Sequence, residues 1–162
     1  MIGQKMQDAL NDQINAELFS YYIYLSMATC FHAGGWEGMA KWMEAQAKEE
    51  MGHAMKIYGH IVERGGRVML KAIEQPQSDW DSALDAFKAA YEHEKYITGR
   101  INDLVDLAAE EDDKPAGIML QWFVTEQVEE EASVSKIVEW LERIGDSGNG
   151  MIMLDVQLGK RE

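Results

Sequence analysis

Residues 48–55 read Lys48-Glu49-Glu50-Met51-Gly52-His53-Ala54-Met55, and the placement of Glu50 and His53 in this stretch decides how the rest of the chain is read. They stand one helical turn apart on a face that also carries Met43, Ala54 and Ile57. A carboxylate on an apolar helical face must be compensated by a partner, because taking it out of water is costly. The helix around it extends from about Trp36 to Arg64. Gly34-Gly35 separates it from a preceding periodic segment, about Gln4 to His32, which makes an αα-hairpin.

A second hairpin follows. After Gly65-Gly66, a segment containing Pro76, Ser78 and Asp79 reads as a loop ending in a helix start near Asp81. One helix is expected from about Asp81 to Glu110. After the acidic turn at Glu110 to Asp113, another begins near Pro115 and extends to about Ile144. The loop joining the hairpins has about 16 residues and can span about 50 Å, whereas a helix of about 28 residues is about 42 Å long. The predicted fold is therefore an all-α four-helix bundle of two antiparallel hairpins joined by a long crossover. A short fifth helix is expected over Asn149 to Leu158, with an apolar face that can meet its own bundle or a neighbouring subunit. The 162 residues suit a single domain over 1–162.

Composition narrows the partners. With 29 acidic and 15 basic residues the formal net charge is -14, a field that repels nucleic acid and anionic membrane surfaces and attracts cations. The lone Cys30 excludes an internal disulfide framework and fits a small buried hydrophobe. The first residues have no apolar run suited to a signal peptide, and nowhere do about 18 apolar residues follow one another. A cytoplasmic protein without membrane partners is expected.

The other helices repeat the anomaly of Glu50. In the third segment Leu84, Phe87, Tyr91, Glu94, Thr98, Ile101, Val105 and Ala108 follow steps of three and four, with Glu94 inside the apolar stripe. Glu17 has Leu10, Ile14, Tyr21 and Tyr24 as same-face neighbours, and Gln127 and Glu130 share a face with Leu120, Phe123, Val124 and Val134. Glu17 and Glu50 are 33 positions apart, as are Glu94 and Gln127, and each pair is centred on its hairpin turn. Residues equidistant from a turn lie at one height, so the four helices present their polar groups at one level. His53 and Glu130, each three residues further on, complete an internal pseudo-repeat of about 77 residues.

No Lys or Arg lies within one turn of these residues on the same faces, so a buried ion-pair network is not available to them. Several carboxylates in a dry core require protonation or a cation. A donor set of carboxylate oxygens with one imidazole suits Fe(II), Fe(III) or Mn(II). The arrangement is that of a two-ion site with ions roughly 3.5 to 4 Å apart. Glu17, Glu50 and His53 are assigned to the first ion, Glu94 and Glu130 to the second, and Glu50 to a bridge between them. Gln127 is then a hydrogen-bonding neighbour and Tyr24 a donor behind the ligands that could also supply an electron.

Glu17, Tyr24, Glu50-x-x-His53, Glu94 and Gln127-x-x-Glu130, with the hairpin lengths and the short last helix, resemble the non-haem ferritins of bacteria and archaea. The resemblance spans essentially the whole chain. It implies a homo-oligomeric hollow shell, usually of 24 subunits, whose diiron sites oxidise Fe(II) with dioxygen or peroxide and pass Fe(III) to a mineral inside. It also implies a third iron site at Glu49, Glu126 and Glu129, shared with Glu130. From spacing alone those acids form a solvated face. Trp122, by the same resemblance, is an electron donor or a core aromatic.

Several features distinguish neighbouring readings. A diiron oxidase or peroxide reductase without storage, like bacterioferritins and rubrerythrin-like proteins, resembles a duplicated Glu-x-x-His, whereas the second element here is Gln127-x-x-Glu130. Met51 stands where bacterioferritins, by resemblance, carry a haem-ligating methionine, and filling core or interface gaps is its other role. Animal ferritins carry acids at the places of Gly117 and Leu120, so an acidic threefold entry pore is not expected. A miniature twelve-subunit ferritin would lack the fifth helix, and a structural assembly protein would consume no oxygen with Fe(II).

Overall fold

The computed structural model describes residues 1–162. Five helices form: α1 (Gln4–Ala33), α2 (Glu37–Glu63), α3 (Ala83–Glu110), α4 (Lys114–Ile144) and α5 (Gly148–Leu158), with no strand. The α1–α2 turn needs Gly35, whose φ of 80° lies in the left-handed region. Helix α3 starts slightly later than Asp81 because Ser82 takes the cap position, accepting from the Asp85 amide at 3.0 Å. Asp113 caps α4 by accepting from the Ala116 amide at 3.1 Å, with Pro115 in the first turn.

The direction of each helix follows from contacts at its ends. Phe31, late in α1, packs on Phe87, early in α3, with ring centroids 5.7 Å apart. At the other end Lys5 pairs with Glu110 and Glu111, so α1 and α3 run antiparallel. The segment between α2 and α3 climbs the length of α1 on a row of its polar side chains. Arg67 N donates to Gln7 Oε1 at 2.9 Å, Met69 N to Asn11 Oδ1 at 2.9 Å, and Asn15 Nδ2 to the Ala72 carbonyl at 3.0 Å. Ser26 Oγ donates to the Gln77 carbonyl at 2.6 Å near the top. This is the expected long crossover.

The core is in two parts. One apolar cluster gathers Tyr24, Met27, Phe31, Trp42, Phe87 and Leu141, and the other Met6, Leu10, Ile57, Ile101, Leu120 and Phe123. Between them lies the layer containing Glu17, Glu50, Glu94 and Gln127. On α3 the buried stripe is Phe87, Ala90, Glu94, Ile97, Ile101, Leu104 and Ala108. It shares Phe87, Glu94, Ile101 and Ala108 with the expected pattern, while Tyr91, Thr98 and Val105 are only half-buried. Both series step by three and four. Contact with α1 as well as α4 turns the buried face toward the 90/97/104 side, which apolar periodicity alone does not distinguish.

Helix α5 docks on α2 and α4 through Leu154 and Leu158. Asp155 Oδ1 accepts from the Met39 amide at 2.8 Å in the first turn of α2, where exposed N–H groups favour a carboxylate. The approach is close enough to require glycine, since a Cβ on Gly38 would lie 1.7 Å from the Asp155 carbonyl oxygen. Ile152, Met153 and Val156 on α5 remain exposed. No helix is long and apolar enough to cross a membrane.

Candidate metal centre

Each helix of the bundle delivers a buried polar group to one level. Glu17 (0% exposed), Glu50 (2%), Glu94 (1%) and Glu130 (4%) come from α1, α2, α3 and α4, joined by buried His53 and Gln127. Three sets of ligand atoms approach closely enough to hold an ion: Glu17, Glu50 and His53; Glu50, Glu94 and Glu130; and His53, Glu126 and Glu130, the atoms of each set lying within 4.8 Å of one another. The first two sets share Glu50.

Hydrogen bonds orient these carboxylates without consuming them. Gln13 Nε2 donates to Glu17 Oε1 at 2.8 Å, and Gln46 Nε2 donates to Glu50 Oε1 at 3.0 Å and to Glu130 Oε2 at 2.7 Å. Gln127 Nε2 approaches Glu94 Oε2 at 3.2 Å, and the Tyr24 hydroxyl donates to Glu94 Oε1. His53 Nδ1 lies 3.2 Å from Glu50 Oε2 and 3.9 Å from Glu17 Oε2. Glu17 Oε2 and Glu130 Oε1 are buried with no partner. A buried carboxylate oxygen left unpaired is costly, and Glu17 and Glu130 each belong to a set of residues that could share a cation.

The electrostatics agree. Burial, reinforced by the charge of Glu50, raises the Glu17 carboxyl to about 8, and burial with the charge of Glu94 raises Glu130 to about 8. Glu50 is held well above the usual carboxylate range by burial and by Glu94 and Glu130. Burial raises Glu94 too, against hydrogen bonds from Tyr24 and Gln127 that favour its ionised form. A divalent cation reverses this balance, because its charge stabilises every ionised carboxylate around it.

Residues 7–144 match the family model described as the ferritin-like domain. The chain belongs to the ferritin family. It is 42% identical over 161 residues to a bacterial non-heme ferritin of Bacteroides fragilis, covering 99% of this chain and 100% of that one. A bacterial non-heme ferritin of Staphylococcus aureus is 37% identical over 161 residues, covering 99% and 97%. Crystal structures of an open-pore ferritin from the hyperthermophilic archaeon Archaeoglobus fulgidus superpose with a TM-score of 0.99 at 50% identity, over 100% of both chains.

The other residues singled out in this ferritin fall into different places. Glu126 is half-buried, with Oε1 3.9 Å from His53 Nε2. Glu49 is turned away, its Oε2 accepting from Arg161 at 2.6 Å, and Glu129 is exposed and joins none of the three ligand sets. Trp122 is exposed on one side and packs edge-on to His53 with centroids 5.5 Å apart, while Lys56 Nζ sits 4.3 Å from its ring. Met51 is half-buried on α2, Leu120 is in the core and Gly117 is half-buried.

Sequence reasoning missed Gln13 and Gln46. Each stands four residues before a carboxylate, Gln13 before Glu17 and Gln46 before Glu50, so a Gln-x-x-x-Glu repeated at the same 33-residue offset was the available signal.

Proposed function

We propose that this ferritin oxidises Fe(II) at a paired-ion site within each subunit and stores the Fe(III) product inside a homo-oligomeric shell, 24 subunits by resemblance, in the cytoplasm. The observation that carries the reading is the sharing of Glu50 between two ligand sets. Glu17, Glu50 and His53 would hold one Fe(II), and Glu94 and Glu130 the other, with Glu50 between them. The unpartnered oxygens of Glu17 and Glu130 are free donor atoms for the two ions.

The chain's own groups account for the steps around the oxidation. Fe(II) displaces protons from carboxyl groups that burial keeps protonated. Two ions held side by side let two electrons reach dioxygen or peroxide together. Gln127 and Tyr24 hold Glu94 through the change in charge. Because α4 offers Gln127-x-x-Glu130 rather than a second Glu-x-x-His, the second ion has fewer protein ligands. That favours passing iron on over retaining it, and so storage over a fixed diiron oxidase. The relatives' name, non-heme ferritin, favours a packing role for Met51 over haem ligation.

A third cation beside the pair would rest on Glu126 and Glu130. Glu49, with Oε2 bound to Arg161, and the exposed Glu129 stand outside that set. The storage reading is tested by stepwise aerobic Fe(II) addition followed by size-exclusion chromatography with iron detection. Iron far in excess of two ions per chain should co-elute with a large assembled particle. Retention stopping near two per chain on a small oligomer would instead indicate a diiron enzyme.

A further inference from the structure

The C-terminal residues past α5 return to α2 directly behind the carboxylate layer. Arg161 lies across Trp42, its guanidinium carbon 4.5 Å from the ring centroid, with Nη1 3.5 Å from the Trp42 carbonyl oxygen. Its Nη2 donates to Glu49 Oε2 at 2.6 Å and to Gln46 Oε1 at 2.9 Å. The other end of the same Gln46 amide donates to Glu50 and Glu130. One buried glutamine therefore connects the end of the chain to two carboxylates from different helices.

A glutamine amide can present either end, and only its NH2 end suits an ionised carboxylate. Arginine has donors and no acceptor, so the amide atom facing Arg161 must be the oxygen, which turns the NH2 toward Glu50 and Glu130. The stack on Trp42 and the bond to Glu49 hold the guanidinium in place. The other helix of the same hairpin, α1, is built alike. Arg100 Nε donates to Gln13 Oε1 at 2.9 Å, and Gln13 Nε2 donates to Glu17.

We propose that Arg161 is a positioning residue for the iron pair, fixing the Gln46 amide so that it orients Glu50 and Glu130 for a divalent cation. The inference rests on the ion-site reading given above. It makes the docking of α5, through Gly38 and Asp155, part of the construction of the site. Groups that orient metal ligands contribute about 10- to 100-fold in affinity, and loss of Arg161 is expected at the lower end of that range, since Gln46 itself remains.

The test is calorimetric titration of the assembled, iron-free protein with Zn(II), a redox-inert probe, in the wild type, Arg161→Ala, Gln46→Met and the double variant. Arg161→Ala should weaken Zn(II) binding by about tenfold. Gln46→Met should weaken it at least as much, and adding Arg161→Ala to Gln46→Met should cost no further affinity. A purely structural role for the tail would lower the melting temperature in both backgrounds without this coupling. Arg161→Gln keeps a polar side chain but is shorter and uncharged, and offers an acceptor as well as donors. It should show the same loss, and it carries the test if the alanine variant does not assemble. Affinity within twofold of wild type in Arg161→Ala, or an undiminished loss in the Gln46→Met background, overturns the proposal. Zn(II) binding that Glu50→Ala leaves intact would overturn the ion-site reading itself.

Discussion

The Tyr24 hydroxyl donates to the Glu94 carboxylate across the bundle, joining α1 to α3 between residues that are both almost wholly buried. Tyr24 belongs to one apolar cluster while Glu94 lies in the polar layer, so this bond is where the upper core meets the site. Tyr24→Phe keeps the ring and removes the donor, leaving Glu94 with Gln127 as its side-chain partner. The expected cost is about 1–3 kcal/mol in denaturant unfolding of the metal-free protein, together with slower Fe(II) oxidation in stopped-flow absorbance.

The metal-free protein should become less stable as pH rises. Glu17 and Glu130 have folded-state values of about 8 against an ordinary value of 4.5, so the fold favours their protonated forms. Their contribution is fully present below about pH 4.5 and is lost progressively as pH rises through about 8. Denaturation midpoints between pH 5 and 9 should fall in Glu17 and Glu130 proteins and fall less in Glu17→Gln with Glu130→Gln. Zn(II) should restore stability most at the alkaline end, where the carboxylates are already ionised, and release protons where it binds below about pH 8.

Gly38→Ala tests the docking of α5. The new Cβ would overlap the Asp155 carbonyl, so either α5 shifts or the first turn of α2 deforms. A loss of about 1–3 kcal/mol is expected from overpacking, read by thermal unfolding.

Asp113 combines two roles. It caps α4 and accepts from Arg64 Nη1 at 2.7 and 2.8 Å, tying the end of α2 to the α3–α4 turn. Asp113→Ala should cost about 0.5–2 kcal/mol for the cap, with an added loss from leaving the Arg64 guanidinium unpaired. Arg64→Met should cost less, since the cap survives. Urea unfolding of the two variants measures the difference.

The bundle and its carboxylate layer were legible because periodicity and turn residues report them directly. Glu94 interrupts an apolar stripe, and the 33-residue spacings set its height against Gln127 as they set Glu17 against Glu50. The orienting groups were less visible for a physical reason. Glutamine and arginine are ordinary residues of solvated helix faces, and Arg161 reaches Gln46 only through the fold of α5 onto α2. Glu49 and Glu126 are equally acidic in sequence, yet one is claimed by Arg161 and the other turns toward His53. Charge counting cannot separate them. The buried side of α3 needed the neighbour α1 to be known, because 90/97/104 and 91/98/105 are both consistent three-and-four series.

The central claim is that Glu50 is shared by two iron ions. Anaerobic equilibrium dialysis of the assembled protein against Fe(II), with bound iron measured per chain, tests it most directly. About two Fe(II) bound per chain are expected in the wild type, with both lost in Glu50→Ala. Two Fe(II) still bound after Glu50→Ala would contradict the claim.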